Sequence, residues 1–314
     1  MVQNLTPPAE RSPVRRRSRL RPTLVAYALL LPTLALLGLF AYYPAFSGIF
    51  HSLFDWRPGF DSPFVGIDNY LALANDRLWW QSFRNLGLIF IFTVTVGWIL
   101  PLLAAELLIT LRGSRSPVIY RALLVAPMAF PAVVTVLLWQ AIYHPNQGLL
   151  NEILGSIGLG DFARNWLGTP DSALLALLFI GFPFVAGLPF LVFLSVLQNI
   201  PTEIFEAAEL DGAGRLRRLI SIDLPLMASQ LKLLIFLATI SVLQYGFAAF
   251  LATGGGPDNA TLVPVLRMLN VAFQGSDWGI AAAMATVLFT IALILSIVIV
   301  MSGPKNTKGA DDER

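Results

Sequence analysis

Cysteine is absent from the 314 residues, and histidine occurs twice, as His51 and His144. Without cysteine there is no disulfide, no thiolate nucleophile and no cysteine-held metal or cluster. Two isolated histidines leave no histidine-rich metal site. Charge is scarce as well: Asp, Glu, Lys and Arg make up 13% of the chain. The lysines are Lys232, Lys305 and Lys308, and none follows a glycine or precedes a serine or threonine. The Gly-Lys-Ser/Thr ending of a phosphate-binding loop is therefore missing, and ATP hydrolysis is not expected of this chain. With 56% hydrophobic residues and a mean hydropathy of +0.70, the chain also lacks the polar surface of a water-soluble globule. Its composition is that of a polytopic membrane protein.

Uncharged windows long enough to cross a hydrocarbon core, about 20 residues, fall at 23–49, 85–105, 122–142, 172–197, 233–251 and 278–301. The expected fold is all-α, with six transmembrane helices forming one membrane domain over 22–302. A basic tail over 1–21, rich in proline, serine and arginine, reads as disordered, and 303–314 reads as a second short tail. The first window exceeds the apolar region of a signal peptide, about 7–15 residues, and is expected to remain as an uncleaved span. Six spans put both termini on one side. That side carries the arginines of the first tail, Arg112, Arg115, Arg121, Arg215, Arg217, Arg218, Lys232, Lys305, Lys308 and Arg314. Arg57, Arg77, Arg84, Arg164 and Arg267 fall on the other. The asymmetry predicts cytoplasmic termini in a cytoplasmic membrane.

The stretch 199–225 is the one densely charged interruption between hydrophobic segments. Pro201 signals a helix start, capped by Asn199 or Thr202. Ile204, Phe205 and Ala208 share one face; Glu203, Glu206 and Glu209 recur on another. Asp211-Gly212-Ala213-Gly214 stops this helix at a left-handed turn. Leu216, Leu219 and Ile220 with Arg215 and Arg218 predict a second amphipathic helix, closed by Leu224-Pro225. The expectation is a cytoplasmic helix-turn-helix.

Glu206-Ala207-Ala208, then Gly212, Ile222 and Leu224-Pro225 at their spacings resemble the full EAA loop of membrane subunits of ABC importers. Asp55-Trp56 with the run from Phe64 to Tyr70, and Thr253-Gly254-Gly255-Gly256-Pro257, are similar to outer loops of the carbohydrate branch, related to the larger maltose-permease subunit. Ala228, Ser229 and Gln230 stand where many relatives place another proline. The resemblance implies a permease subunit that docks its loop on an ATPase, with Glu206, Ala207, Ala208, Asp211, Gly212, Ile222, Leu224 and Pro225 as coupling residues. It implies as partners a second permease subunit, two ABC ATPases that hold ATP and Mg, an extracytoplasmic solute-binding protein and the lipid membrane. No nucleic acid and no cofactor on this chain are implied, and the cargo would be a sugar, such as an oligosaccharide, or a polyol.

Asn85, Gln140, Gln244 and Tyr245 are the main polar residues inside spans, and a buried amide needs a partner or a wet pathway. They read either as sugar contacts, with Tyr245, Phe247 and Phe250 as stacking faces, or as interhelical hydrogen bonds. Gly181-x-Pro183 and Gly187-x-Pro189 predict a broken fourth span, a place where transporters hold substrate, or a packing kink. The absence of an unpaired mid-span charge argues against a proton relay. Other readings stay open: the same architecture for another solute such as glycerol 3-phosphate, an ATP-independent secondary carrier, or an intramembrane enzyme using His51 with Asp55 or His144 with Asn146.

Overall fold

The computed structural model describes residues 20–110, 116–185 and 187–301. The expected C-terminal tail, and all but the last two residues of the expected N-terminal one, lie outside that range. Among the described residues all regular structure is helical, apart from one isolated bridge between Phe54 and Phe64. The chain divides into two units, 1–48 and 49–314.

From the first unit, α1 (Leu20–Leu37) runs through a π turn at Gly38–Tyr42 into α2 (Tyr43–His51), whose last three residues belong to the second unit. The Tyr43 amide donates to the Gly38 carbonyl five residues back, and Pro44 follows. A proline lacks the amide hydrogen and its ring collides with the carbonyl four residues earlier. A wider turn just before it removes that collision without ending the helix.

The second unit holds α3 (Asp68–Ala74), α4 (Arg77–Val94), α5 (Val96–Thr110), α6 (Ser116–Val125), α7 (Ala132–Ile142), α8 (Leu149–Ser156), α9 (Pro170–Leu178) and α10 (Leu188–Asn199). It continues with α11 (Thr202–Leu210), α12 (Arg215–Arg218), α13 (Leu224–Leu226), α14 (Ala228–Leu243), α15 (Phe247–Thr253), α16 (Pro264–Phe273) and α17 (Trp278–Met301). Asp76 starts α4 by accepting the Leu78 amide at 2.8 Å. Among the described residues three helical stretches, Tyr27–His51, Arg77–Thr110 and Trp278–Met301, are long and apolar enough to span a membrane, and there are up to six if each bent pair counts as one span. One bend, of 91°, separates Val118–Ala129 from Ala132–Ile142 where Pro127 and Pro131 interrupt the hydrogen-bond ladder.

The fourth window is broken as its glycines and prolines predict. α9 stops at Leu178 and α10 begins at Leu188, with Gly181 at φ 92° and Gly187 at φ 152° between them. Phe184 also takes a positive φ of 60°, a conformation a bulky residue seldom adopts.

Three apolar clusters hold the second unit. One joins Ala105, Leu108 and Ile109 of α5 to Phe190, Phe193, Leu194 and Leu197 of α10 and Leu234 of α14. Another gathers α4, α9, α14 and α15 around Leu262, Val263 and Leu266, and the last joins α3, α4, α16 and α17 around Trp79 and Met284. Trp79, Phe190 and Phe193 are among the largest fully buried side chains, and each such aromatic removes some 150–250 Å² from contact with the surroundings. The outer loop after α2 is fixed by the Asn69 amide, which donates to the carbonyls of Ser52 and Phe54 at 2.8 and 2.9 Å. It lies directly on Gly279: a Cβ there would fall 2.2 Å from the Phe54 carbonyl oxygen.

Candidate functional site

α11 begins after Pro201 and ends at Leu210. Ala208 is buried and Ile204 and Phe205 are half-buried against the α5–α10 cluster, while Glu203, Glu206, Ala207 and Glu209 are exposed. The helix end is a complete Schellman motif: the Ala213 amide donates to the Ala208 carbonyl at 2.9 Å and the Gly212 amide to the Glu209 carbonyl at 3.0 Å. Gly212 sits at φ 70°, with nothing within 4 Å of where a Cβ would project. Glycine is needed there for conformation, not for space.

Past the turn the structure differs from the sequence expectation. The chain does not stop at Leu224-Pro225 but winds on from α12 through a π turn at Leu219–Asp223 into α13. The Leu224 amide donates to the Leu219 carbonyl, five residues back, and Pro225 follows as Pro44 follows the earlier π turn. Burial in this segment runs opposite to side-chain polarity. Leu210, Leu216 and Ile220 are 89%, 70% and 57% exposed, whereas Asp223 is fully buried. Asp211 and Pro225 are exposed, and Ile222 and Leu224 are half-buried.

The buried charge forms a cluster. Arg218 Nε donates to Asp223 Oδ2 at 3.0 Å, and Arg218 Nη2 donates to Glu106 Oε2 on α5. The guanidinium lies 4.9 Å from the Phe205 ring centroid, within cation–π range. Glu106 Oε1 and Asp223 Oδ1 have no hydrogen-bond partner among the described residues. Asp223 is fully buried while Arg218 and Glu106 keep a small exposed fraction, so removing Arg218 strands Asp223 above all. Sequence spacing hides the pair: residues five apart on an α-helix point about 140° apart, and only the i→i+5 turn brings Asp223 over Arg218. Glu106 lies one residue beyond the uncharged window 85–105.

A cavity of about 460 Å³ opens among α4, α5, α7, α9, α10 and the α14–α15 junction. Phe92, Trp98, Phe184 and Tyr245 supply aromatic faces and Thr93 and Thr135 supply hydroxyls; no charged side chain lines it among the described residues. Of the residues expected on a pathway, Tyr245 faces this cavity. Pro183, Gln244, Phe247 and Phe250 are exposed outside its lining. Asn85 donates to the Leu262 and Asn259 carbonyls at 2.9 and 3.3 Å, and Gln140 to those of Leu251 and Ala252 at 3.0 and 3.1 Å. Both amides thus tie spans to the segment 251–262. Phe92, Thr93, Thr135 and Phe184 carried no separate sequence signal, since phenylalanines occur in every span and threonines in most.

The glycine-rich segment after α15 is a tight turn: Gly254 and Gly255 have φ 64° and 91°, and the hydroxyls of Thr253 and Thr261 bond at 2.6 Å. His144 Nδ1 accepts the backbone amides of Asn146 and Gln147, and the His51 ring stacks on Trp56 with centroids 4.4 Å apart. Among the described residues no group of three or more His, Cys, Asp or Glu is placed to hold a metal.

Residues 97–308 match the family model described as binding-protein-dependent transport system inner membrane component. The chain is 34% identical over 306 residues to the diacetylchitobiose uptake system permease protein NgcF of Streptomyces coelicolor, covering 93% of this chain and 86% of that one. It is 33% identical to the probable ABC transporter permease protein YurN of Bacillus subtilis, over 87% of this chain and 94% of that one. It is 32% identical to the sn-glycerol-3-phosphate transport system permease protein UgpA of Yersinia enterocolitica, over 87% and 91%. In fold it is similar to a chain of a bacterial ABC transporter involved in the import of the acidic polysaccharide alginate, with a TM-score of 0.77, 21% identity, and 90% of this chain and 96% of that one covered. The chain therefore belongs to the binding-protein-dependent transport system inner membrane component family, as an ABC transporter permease and a multi-pass membrane protein.

Proposed function

We propose that this chain is one of two permease subunits of an ATP-driven importer for a neutral sugar, docked through 199–225 on cytoplasmic ATPases. The observation that carries the coupling half is the division of α11. Its apolar face sits on the α5–α10 core, and its acidic face, with Leu210 and Leu216 beside it, is exposed. Exposed leucines rimmed by carboxylates suit a groove that is apolar at its base and basic or amide-bearing at its edge. Glu206 is the residue assigned to that edge. The lysine and arginine asymmetry supports a cytoplasmic position for both termini and this loop.

The cavity argues for the cargo. Aromatic faces stack on sugar rings and hydroxyls bond to sugar hydroxyls. An anionic phosphate or uronate would be taken from water into a space that the described residues line without a cation, at considerable cost. A neutral oligosaccharide such as diacetylchitobiose therefore fits better than glycerol 3-phosphate. A solute-binding protein outside would deliver the sugar, and ATP-driven closure of the ATPases would push α11 and switch access to the cavity.

The test is uptake of labelled diacetylchitobiose into proteoliposomes holding the natively purified complex and its binding protein. ATP-dependent uptake, competed by neutral oligosaccharides and not by glycerol 3-phosphate, supports the reading. Competition by glycerol 3-phosphate alone refutes the choice of cargo, and uptake without ATP refutes the mechanism.

A further inference from the structure

Arg218 touches three elements at once. It pairs with Glu106 near the end of α5, with Asp223 at the end of the π turn, and with the ring of Phe205 on α11. The outer faces of α11 and α12 are exposed, and the inner face of α11 meets the α5–α10 core through the apolar side chains of Ile204 and Phe205. Apolar contacts alone would hold the α11–α12 turn on the α5–α10 core without fixing its register, because dispersion and apolar burial are non-directional. A guanidinium fork between two carboxylates is directional, and it fixes the register of what it joins. The π turn is what aims Asp223 into this fork, and that turn precedes a proline, so the arrangement is built into the backbone as well as the side chains.

α5 continues from this point along the membrane to Gly97 and Trp98, which line the cavity. One helix thus has a lining residue near one end and Glu106 near the other. Resting on the permease reading above, we propose that Arg218 is a positioning residue for transport. Its fork with Glu106 and Asp223 locks the α11–α12 turn to α5, so that a push on α11 is delivered to the cavity wall. The apolar core sets where the loop sits, and the ionic fork makes loop and helix move as one body. A two-state element biased from both ends is what such coupling requires.

The absence of cysteine makes a single introduced thiol the only label site on this chain, and labelling is read on the band of this chain alone. Thr135→Cys places it in the cavity wall. Inverted membrane vesicles containing the full complex are treated with a membrane-impermeant maleimide, with and without ATP and vanadate, and ATP hydrolysis is measured in parallel. In the otherwise native chain ATP slows labelling by at least about 5-fold, the lower end of ordinary site-to-site coupling. Arg218→Met strands two carboxylates, so the decisive variant is Glu106→Gln with Arg218→Met and Asp223→Asn, which removes every charge and leaves none buried alone. We expect this triple variant to assemble and hydrolyse ATP while the ATP effect on labelling falls below about 2-fold, and Arg218→Lys to recover part of it. A merely structural role would change yield and leave that ratio intact. An undiminished ATP effect in the triple variant overturns the proposal, and so does failure of the triple variant to assemble, which would make the fork a folding element. If the native chain itself shows no ATP effect, it is the permease reading that fails.

Discussion

Replacing Gly212 by alanine isolates one physical term. The Cβ position is empty to 4 Å, so the substitution introduces no clash, and the whole cost comes from holding an L-residue at φ 70°. That cost is about 1–2 kcal/mol. It raises the energy of the Schellman turn relative to every other shape the loop adopts. At 1.4 kcal/mol per factor of ten, the apparent affinity of a partner that reads the turn falls by up to about 5- to 30-fold. Gly212→Val is expected to fall further, because a β-branched side chain opposes positive φ more strongly. Gly214 provides the control two residues away: its φ is −64° and its Cβ position is also open, so Gly214→Ala leaves affinity unchanged or improves it slightly. The assay is titration of the purified cognate ATPase subunit against each variant in detergent, read by fluorescence anisotropy. Equal affinities for Gly212→Ala, Gly212→Val, Gly214→Ala and the native chain would refute the argument that this turn shapes the docking surface.

Asn85→Leu removes the donor to the Leu262 and Asn259 carbonyls and is expected to cost about 1–3 kcal/mol, seen as a lower melting temperature in detergent. Gly279→Ala drives a methyl group into the Phe54 carbonyl and is expected to cost about 1–3 kcal/mol as an overpacked contact, measured by the same melt. Tyr245→Phe takes one hydroxyl from the cavity wall. A lost sugar hydrogen bond of about 0.5–1.5 kcal/mol raises the KM for diacetylchitobiose uptake about 2- to 13-fold, with complex yield unchanged.

The apolar windows, the break between Leu178 and Leu188 and the two faces of α11 were legible because each rests on a local rule. Long uncharged runs need a membrane, glycine and proline interrupt a ladder, and residues three or four apart share a helix face. The left-handed Gly212 was legible for the same reason. The segment after it was not, because a hydrophobic pattern at α-helical pitch carries no sign of a π turn. The π turn at Leu219–Asp223 carries Asp223 inward over Arg218, a placement that a pattern of 3.6 residues per turn does not give, while Leu216 and Ile220, four residues apart, share a face that is exposed. Glu106 escaped notice because its partner lies 112 residues away, and a charge at the edge of an uncharged window looks like the end of a span. Asn85 and Gln140 show the limit of composition: an amide in an apolar segment announces that a partner exists, and only the fold shows that the partner is a backbone carbonyl of the 251–262 segment.

The central claim is that this chain works as the membrane half of an ATP-driven importer coupled through 199–225. The most direct measurement is affinity purification of the tagged chain from its native membrane in mild detergent, with mass-spectrometric identification of its companions, repeated with Glu206→Ala. The account predicts a P-loop ATPase and a second permease subunit in the native preparation, with the ATPase depleted in the variant. Recovery of the chain alone or as a homodimer, with no ATPase in either preparation, would contradict it.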